Sequence, residues 1–173
     1  MTKLGDVYRW IYGRLLKKPT NFSWIIKDKL AASGLVKTSS EFEWVINQGI
    51  KSIVTLREEP LPSRYFDSSE YKGINYLHLK VKDHDAPTLE VLINTLDYID
   101  EHIKRNLPVL VHCNGGWGRT GTLLTTYFMK KDNLTVNDAL IKIKNIRGKA
   151  PYKPKQIEII NAYQQYLKKK NKN

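Results

Sequence analysis

A single cysteine, Cys113, is followed six residues later by Arg119, with three glycines among the five residues between them. The apolar run 109–112 leads into the cysteine, and a helical pattern starts at Thr120. Glycines let the backbone turn successive N–H groups toward one point, where a helix N-terminus adds its positive dipole end. A guanidinium can hold two oxygens of a phosphate at once. The segment therefore predicts a phosphate-binding loop between a strand and a helix.

The positive surroundings of this loop also give Cys113 a chemical role. Cations and helix N-termini stabilise a thiolate, which is the nucleophilic form of cysteine. The alternative is an inert buried cysteine of the kind that is common in protein cores, but it does not account for the glycines and the arginine. We predict that Cys113 is the nucleophile. The predicted phosphate-binding residues are Asn114, Gly115, Gly116, Trp117, Gly118 and Arg119.

One segment resembles the signature of cysteine-based protein tyrosine phosphatases and reads His112-Cys113-x5-Arg119-Thr120-Gly121. Its HCxxGxxRTGT form is similar to the dual-specificity branch, and residues 21–24 and 29–31 resemble the opening segment of the small atypical members, archaeal-type relatives included. The resemblance implies a phosphocysteine intermediate that water then hydrolyses. It also implies a phosphorylated protein or peptide as substrate, with no metal and no cofactor.

The resemblance further implies a general acid in the segment 81–87, where two aspartates compete. The family's acid lies just beyond a strand and about four residues before a proline, a spacing that Asp83 matches. Asp85 lies closer to the next helix, where a carboxylate interacts favourably with the helix N-terminus. We therefore predict that Asp83 is the acid. Thr120 corresponds to the family's hydroxyl group that hydrogen-bonds the thiolate and assists its departure.

Five further residues are candidates for supporting roles. His112 resembles a histidine that orients the loop rather than transferring protons, and Arg147 resembles an arginine that ties loops together. Glu58 either pairs with the loop arginine or is a surface carboxylate. Gln156 corresponds to a glutamine that positions the hydrolytic water or is an exposed helix residue. Trp117 either flanks the pocket mouth and stacks on a substrate ring or packs against a neighbouring loop.

Strands and helices that must position these residues alternate along the chain. Apolar runs predict strands at 50–56, 76–81 and 109–112, after two short strands within 21–33. Helical spacing and caps predict helices over 39–48, 87–105, 120–131, 136–146 and 154–169. Ser39 or Ser40 is the expected N-cap of the first of these helices, and Gly49 is its expected stop. The alternation predicts a single α/β domain with a central mixed, mostly parallel sheet flanked by helices.

The N-terminal segment has a pattern of its own. Residues 4–16 carry apolar side chains at helical spacing among basic residues, and the pattern stops before Pro19. We expect an N-terminal amphipathic helix within residues 1–19 and a phosphatase domain over 20–170. The apolar stripe of this helix either packs on the domain or lies on a membrane.

The composition sets limits on partners and location. Twenty-nine basic side chains against seventeen acidic ones give a net charge of +12, which favours anionic partners. One cysteine cannot form an internal disulfide, so a reducing, cytoplasmic setting is expected. No stretch of about 18 apolar residues is present, so no transmembrane segment is predicted. We expect a monomer.

Together these patterns predict a protein phosphatase that acts on phosphotyrosine and on phosphoserine or phosphothreonine. The family's phosphoinositide phosphatases often carry lysines in the loop, and positions 114–118 have none. Hydrolysis of RNA 5′ ends or of another phosphate monoester remains an alternative because of the net charge, although no obligatory nucleic acid is expected. A non-catalytic phosphate-binding module is the third alternative, and the presence of both a nucleophile and an acid disfavours it.

Overall fold

The computed structural model describes residues 17–67, 71–148 and 153–170, together with Val7 and Ile11. Within these residues, five strands and five α-helices form one α/β unit. The strands are β1 (Ser23–Ile26), β2 (Leu30–Ser33), β3 (Ser52–Arg57), β4 (Asn75–Lys80) and β5 (Val109–His112). The α-helices are α1 (Ser39–Asn47), α2 (Leu89–Lys104), α3 (Gly118–Lys131), α4 (Val136–Arg147) and α5 (Pro154–Lys170). A short 3₁₀ helix covers Ser63–Tyr65.

The strands lie in the order β1-β2-β5-β3-β4. The pair β1–β2 is antiparallel, and the other pairs are parallel. Strand β5 is central, with Val111 in register with Ala32 on one side and Val54 on the other. The predicted mixed, mostly parallel sheet is therefore confirmed. Because parallel strands end at the same edge, the segments that follow β2, β3, β4 and β5 meet there.

Both faces of the sheet are covered, as the alternation of strands and helices predicted. Successive residues of β5 point to opposite faces, so Val109 and Val111 join the core formed with α2, α3, α4 and α5. Leu110 joins a second core that includes Phe42 and Val45 of α1. This arrangement holds β5 rigidly, and its last residue is joined directly to Cys113.

Several predicted helix boundaries differ from the observed ones; α2, for example, begins at Leu89 rather than at 87. The N-cap of α1 is Thr38, and the prediction of Ser39 or Ser40 is wrong. Thr38 Oγ1 accepts from the Glu41 N–H at 3.2 Å, and the Glu41 carboxylate accepts from the Thr38 N–H, which together form a capping box. Helix α3 begins at Gly118, two residues before the predicted start.

The predicted N-terminal helix lies outside the described residues, apart from Val7 and Ile11, which are helical and exposed. The division into residues 1–19 and 20–170 stays a prediction. Across the part of the chain that the structure describes, no helix is both long and apolar enough to cross a lipid bilayer.

Candidate active site

The phosphate loop, residues 113–119, runs from the end of β5 into the first turn of α3. Cys113 is buried, and its Sγ accepts a hydrogen bond from the Gly116 N–H at 3.3 Å. An N–H that points at the sulfur stabilises negative charge on it, as does the nearby helix N-terminus. The loop has thus curled in the way that the glycine spacing predicted.

Gly116 fits this curl because it has no side chain. Its φ is +74°, in the left-handed region, and a Cβ atom there would lie 2.5 Å from the Ser33 carbonyl oxygen and 2.7 Å from the Gly34 nitrogen. Both contacts are with backbone, which cannot move away as a flexible side chain could. The close approach therefore seats the phosphate loop on the end of β2.

Arg147, the last residue of α4, binds the backbone of the phosphate loop and of the segment before β1. One terminal nitrogen donates to the Gly116 carbonyl at 2.8 Å and to the Asn21 carbonyl at 3.1 Å, and the other donates to Ser23 Oγ at 2.7 Å. The guanidinium lies over the Trp117 ring, 5.3 Å from its centroid. Arg147 ties loops together as the sequence predicted, and Trp117 combines this packing with a place in the cavity wall.

Arg119 is 2% exposed and binds two carboxylates and a carbonyl. One terminal nitrogen donates to Glu58 Oε2 at 2.9 Å and to the Val81 carbonyl at 2.7 Å. The other donates to Asp83 Oδ1 at 2.9 Å. Glu58 Oε1 also accepts from the Asp83 N–H at 2.5 Å. Of the two alternatives for Glu58, the structure shows the pairing with the loop arginine.

The Glu58 carboxyl group is ionised at neutral pH. Partial burial would by itself raise the pKa of the Glu58 carboxyl, but hydrogen bonds from its own N–H, from Arg119 and from the Asp83 N–H together hold the pKa below its usual value. A carboxylate that stays charged can hold the loop arginine and the loop containing Asp83 together.

The two competing aspartates have different surroundings. Asp83 lines the cavity that contains Cys113. Asp85 forms an ion pair with Lys155 at 3.0 Å and accepts from the Ala86 N–H at 2.9 Å, and these hydrogen bonds hold the pKa of Asp85 below its usual value. Because Asp83 faces the cavity whereas Asp85 is paired with Lys155 outside its walls, the geometry favours Asp83 as the acid.

An open cavity of about 330 Å³ lies above the sulfur. Its walls are formed by Asp83, His84, Cys113, Asn114, Gly115, Trp117, Gly118, Arg119, Lys153 and Gln156. Gln156 is 1% exposed, so the alternative of an exposed helix residue is wrong. Its Nε2 donates to the Asp85 carbonyl at 3.2 Å and its Oε1 accepts from the Lys153 N–H at 3.0 Å, because the first turn of α5 packs against the segment 81–87.

His112 is fully buried beneath the loop. Its Nε2 lies 2.7 Å from Thr55 Oγ1, and its Nδ1 lies 3.4 Å from the Cys113 carbonyl oxygen. Burial lowers the pKa of His112 to about 3, and the charges of Arg57 and Arg119 add to the effect. A neutral ring fixed by two contacts suits the predicted orienting role.

Thr120 lies in the first turn of α3 and is fully buried. Its Oγ1 has no hydrogen-bond partner among the described residues, so the hydrogen bond to Cys113 that the resemblance implied is not formed in this structure. The hydroxyl nevertheless needs a partner, because an unsatisfied buried hydroxyl is costly. Its assistance to the departing thiolate stays a prediction.

Sequence reasoning missed two cations at the site, Lys153 in the cavity wall and Arg57 beside the loop. Arg57, the last residue of β3, donates from Nε to Asn114 Oδ1 at 2.5 Å. A signal for Arg57 was present, because it directly follows a predicted strand and directly precedes Glu58. Residues at the ends of neighbouring parallel strands converge at one edge of the sheet.

Residues 31–133, more than half of the chain, match the profile of a family described as Tc-R-P, polymorphic toxin system, DSP-PTPase phosphatase. The chain belongs to this phosphatase family. The match confirms the class that the sequence predicted, the cysteine-based protein tyrosine phosphatases with small dual-specificity members.

Curated relatives are similar over the same region. Human dual specificity protein phosphatase 6 is 32% identical over 114 residues, which are 64% of this chain and 29% of that protein. Rat phosphatidylglycerophosphatase and protein-tyrosine phosphatase 1 is 25% identical over 124 residues, which are 69% of this chain and 64% of that protein. The chain thus spans less than a third of the first relative and about two thirds of the second.

Solved structures share the fold over nearly their whole length. Tk-PTP in its active form superposes with a TM-score of 0.75 at 26% identity, covering 84% of this chain and 97% of that one. Human DUSP28 superposes with a TM-score of 0.70 at 18% identity, covering 87% of this chain and 99% of that one. The family's fold therefore includes the strands, loop and helices described above.

Gly116→Ala should distort the phosphate loop. The left-handed φ would cost about 1–3 kcal/mol, and the clash with Ser33 and Gly34 would displace the loop, so kcat/KM for an aryl phosphate should fall about 100-fold. Gly49→Ala is the matched control, because Gly49 has a φ of +87° but open space around its Cβ position. It should lose stability and keep its activity. Equal activity losses in the two variants would contradict the packing role of Gly116.

Buried His112 should make stability depend on pH. In the unfolded chain a histidine titrates near pH 6.5, whereas folding holds the pKa of His112 at about 3. Between these values the unfolded state binds the extra proton, so this contribution is present above about pH 6.5 and is lost as the pH falls. The free energy of unfolding should be about 2 kcal/mol lower at pH 5 than at pH 7 from this group.

Urea unfolding of wild type and His112→Gln at both pH values measures this difference. The variant should lose less stability on acidification than wild type does. His84→Gln, which removes a largely exposed histidine, should retain the wild-type pH dependence. A wild-type loss that His112→Gln leaves unchanged would show that other groups cause it.

Proposed function

We propose that the chain is a cysteine-dependent protein phosphatase that hydrolyses phosphotyrosine, and phosphoserine or phosphothreonine to a lesser degree. The observation that carries the proposal is the phosphate loop itself. A buried sulfur accepts a loop N–H at the base of a cavity that Arg119 and Asp83 also line. This combination provides a nucleophile, an anion-binding surface and a proton donor in one place.

The first step transfers the phosphoryl group to sulfur. The Cys113 thiolate attacks phosphorus, the bond from phosphorus to the leaving oxygen breaks, and protonated Asp83 donates its proton to that oxygen. Loop N–H groups and Arg119 stabilise the charge on the remaining phosphate oxygens. Asp83 already touches Arg119, so the donor lies within reach of a phosphate held by the same guanidinium.

The second step releases phosphate. Asp83, now ionised, accepts a proton from a water molecule that attacks phosphorus, and the bond from phosphorus to sulfur breaks. Gln156 lines the same cavity and suits the positioning of this water. The buried Thr120 hydroxyl, which has no partner in the described part of the chain, suits the stabilisation of the departing thiolate.

The shape of the cavity supports a broad choice of phosphorylated residue. None of the described residues between β3 and β4, 58–67 and 71–74, lines the cavity, so this part of the segment does not deepen the site. Phosphotyrosine should react best, because phenolate is the better leaving group and the Trp117 ring at the cavity wall can contact the substrate ring. We expect a monomer that acts on phosphoproteins in a reducing compartment, where a lone nucleophilic cysteine persists.

Phosphorylated lipid is a second candidate substrate. One relative's name includes phosphatidylglycerophosphatase, and Lys153 and His84 line the cavity of this chain. A headgroup with more than one phosphate would find these side chains beside the phosphate loop. The absence of lysine from positions 114–118 weighs against this candidate.

A comparison of substrates tests the proposal. At one ionic strength, kcat/KM should be highest for a phosphotyrosine peptide, then for a phosphothreonine peptide, and lower for a soluble phosphoinositide and for triphosphate-ended RNA. Cys113→Ser should remove turnover of all four, because a serine hydroxyl is not ionised near neutral pH. If lipid or RNA exceeded the best peptide by about tenfold (1.4 kcal/mol), the protein-phosphatase proposal would fail. Turnover by pure Cys113→Ser protein would remove Cys113 from the nucleophile role.

Asp83→Ala should lower kcat by about 10²–10⁴-fold, the usual contribution of general acid–base catalysis. The pH–rate profile of wild type should be bell-shaped, and the variant should lose its alkaline limb because no acid remains to be deprotonated. Asp85→Ala is the matched control two residues away. It removes the partner of Lys155 and should lower kcat far less. Loss of the alkaline limb in Asp85→Ala alone would assign the acid to Asp85.

A further inference from the structure

Arg57 is a half-buried cation at the edge of the phosphate loop. Its Nε donates to Asn114 Oδ1 at 2.5 Å, and no ion pair to Arg57 occurs within residues 17–67, 71–148 and 153–170. Arg119 differs in this respect, because Glu58 and Asp83 both pair with it. Arg57 is therefore a half-buried cation beside the loop whose charge is not matched by a contacting carboxylate.

The charges of the side chains around the loop determine the electrostatic environment of an incoming phosphate. With Glu58 and Asp83 both ionised, the two carboxylates outweigh the single charge of Arg119. With Asp83 protonated, as the acid step requires, the three side chains are neutral as a set. The Cys113 thiolate adds a further negative charge, which Arg57, like Lys153 in the cavity wall, offsets as a phosphate dianion enters.

The pKa shifts of Arg57 and His112 also indicate that the Arg57 charge acts on the loop. Burial lowers the pKa of Arg57, and the neighbouring charge of Arg119 lowers it further, while Glu58 and Glu59 act in the opposite direction. The same guanidinium helps to lower the pKa of His112, the residue before the nucleophile. Burial and the charge of Arg119 both disfavour a charged Arg57 at this position. A cation that is retained there despite these costs indicates a functional role.

Arg57 also joins the two loops of the site. Its side chain holds Asn114, whose carbonyl oxygen accepts from the Leu35 N–H at 2.9 Å. Its own carbonyl oxygen accepts from the Val81 N–H at 3.1 Å, and the Val81 carbonyl accepts from Arg119. The residue thus fixes the start of the phosphate loop with its side chain and the approach to Asp83 with its backbone.

We propose that Arg57 is a positioning and specificity residue that orients the phosphate loop through Asn114 and supplies a half-buried positive charge that helps to draw a dianionic phosphate monoester into the cavity. The proposal rests on the function proposed above. It predicts a preference for dianionic over monoanionic phosphate, since a monoanion gains less from a second cation.

Three variants distinguish the effect of the Arg57 charge from that of its hydrogen bond to Asn114. Arg57→Gln removes the charge, Arg57→Lys retains it without the Nε–H, and Asn114→Asp matches it with a contacting carboxylate. Arg105→Gln is the control for net charge, because Arg105 is an exposed arginine at the end of α2. The inhibition constant of inorganic phosphate and the KM for an aryl phosphate should rise about tenfold in Arg57→Gln, the scale of one partly screened charge.

Arg57→Lys should recover part of this loss, and Asn114→Asp should resemble Arg57→Gln. kcat should change less than KM in Arg57→Gln, and thermal unfolding should show that each variant is folded. Binding of tungstate, measured by calorimetry, gives a readout that needs no turnover. It should weaken about tenfold in Arg57→Gln and remain as in wild type in Arg105→Gln.

Tungstate and phosphate affinities in folded Arg57→Gln that equal those of Arg105→Gln would overturn the role of Arg57, whatever the turnover. Equal losses in Arg57→Gln and Arg57→Lys would overturn the part assigned to its charge. Absence of turnover in wild type, with tungstate binding still sensitive to Arg57, would instead reject the proposed phosphatase function and leave the anion site in place.

Discussion

The buried guanidinium of Arg119 is the constraint on which the rest of the site depends. A charge with only 2% of its surface exposed must find acceptors, because an unpaired buried charge costs several kcal/mol. Its acceptors are Glu58 after β3 and both Val81 and Asp83 after β4. One side chain in the first turn of α3 thereby joins the segments that follow β3 and β4 to the phosphate loop.

The phosphate loop is held in place by backbone as much as by charge. Gly116 lies against the end of β2 at a distance that excludes any side chain, and Arg147 reaches its carbonyl from α4. The same arginine contacts Asn21 and Ser23, so the first hairpin and the last residue of α4 both support the loop. Loop rigidity matters because loop N–H groups stabilise charge best when they need not reorganise.

Sequence and structure disagree where the answer depended on the packing of distant elements. Gln156 could be read as an exposed residue because a helical pattern alone does not say which neighbour a first turn meets. Here α5 packs its first turn against the segment 81–87 and buries the amide. The cap of α1 is a local choice between two pairs with the capping-box spacing, Thr38 with Glu41 and Ser40 with Glu43, and the structure uses the first.

The sequence by itself determined the chemistry of the site. The spacing from Cys113 to Arg119, the glycines between them and the strand–loop–helix context are local properties, and local spacing fixes which backbone groups can face one anion. Only the tertiary structure decided that Glu58 pairs with Arg119 across 61 residues and that Arg57 holds Asn114 across 57. Such contacts depend on strand order and register, which place the ends of β3, β4 and β5 side by side and which no local pattern encodes.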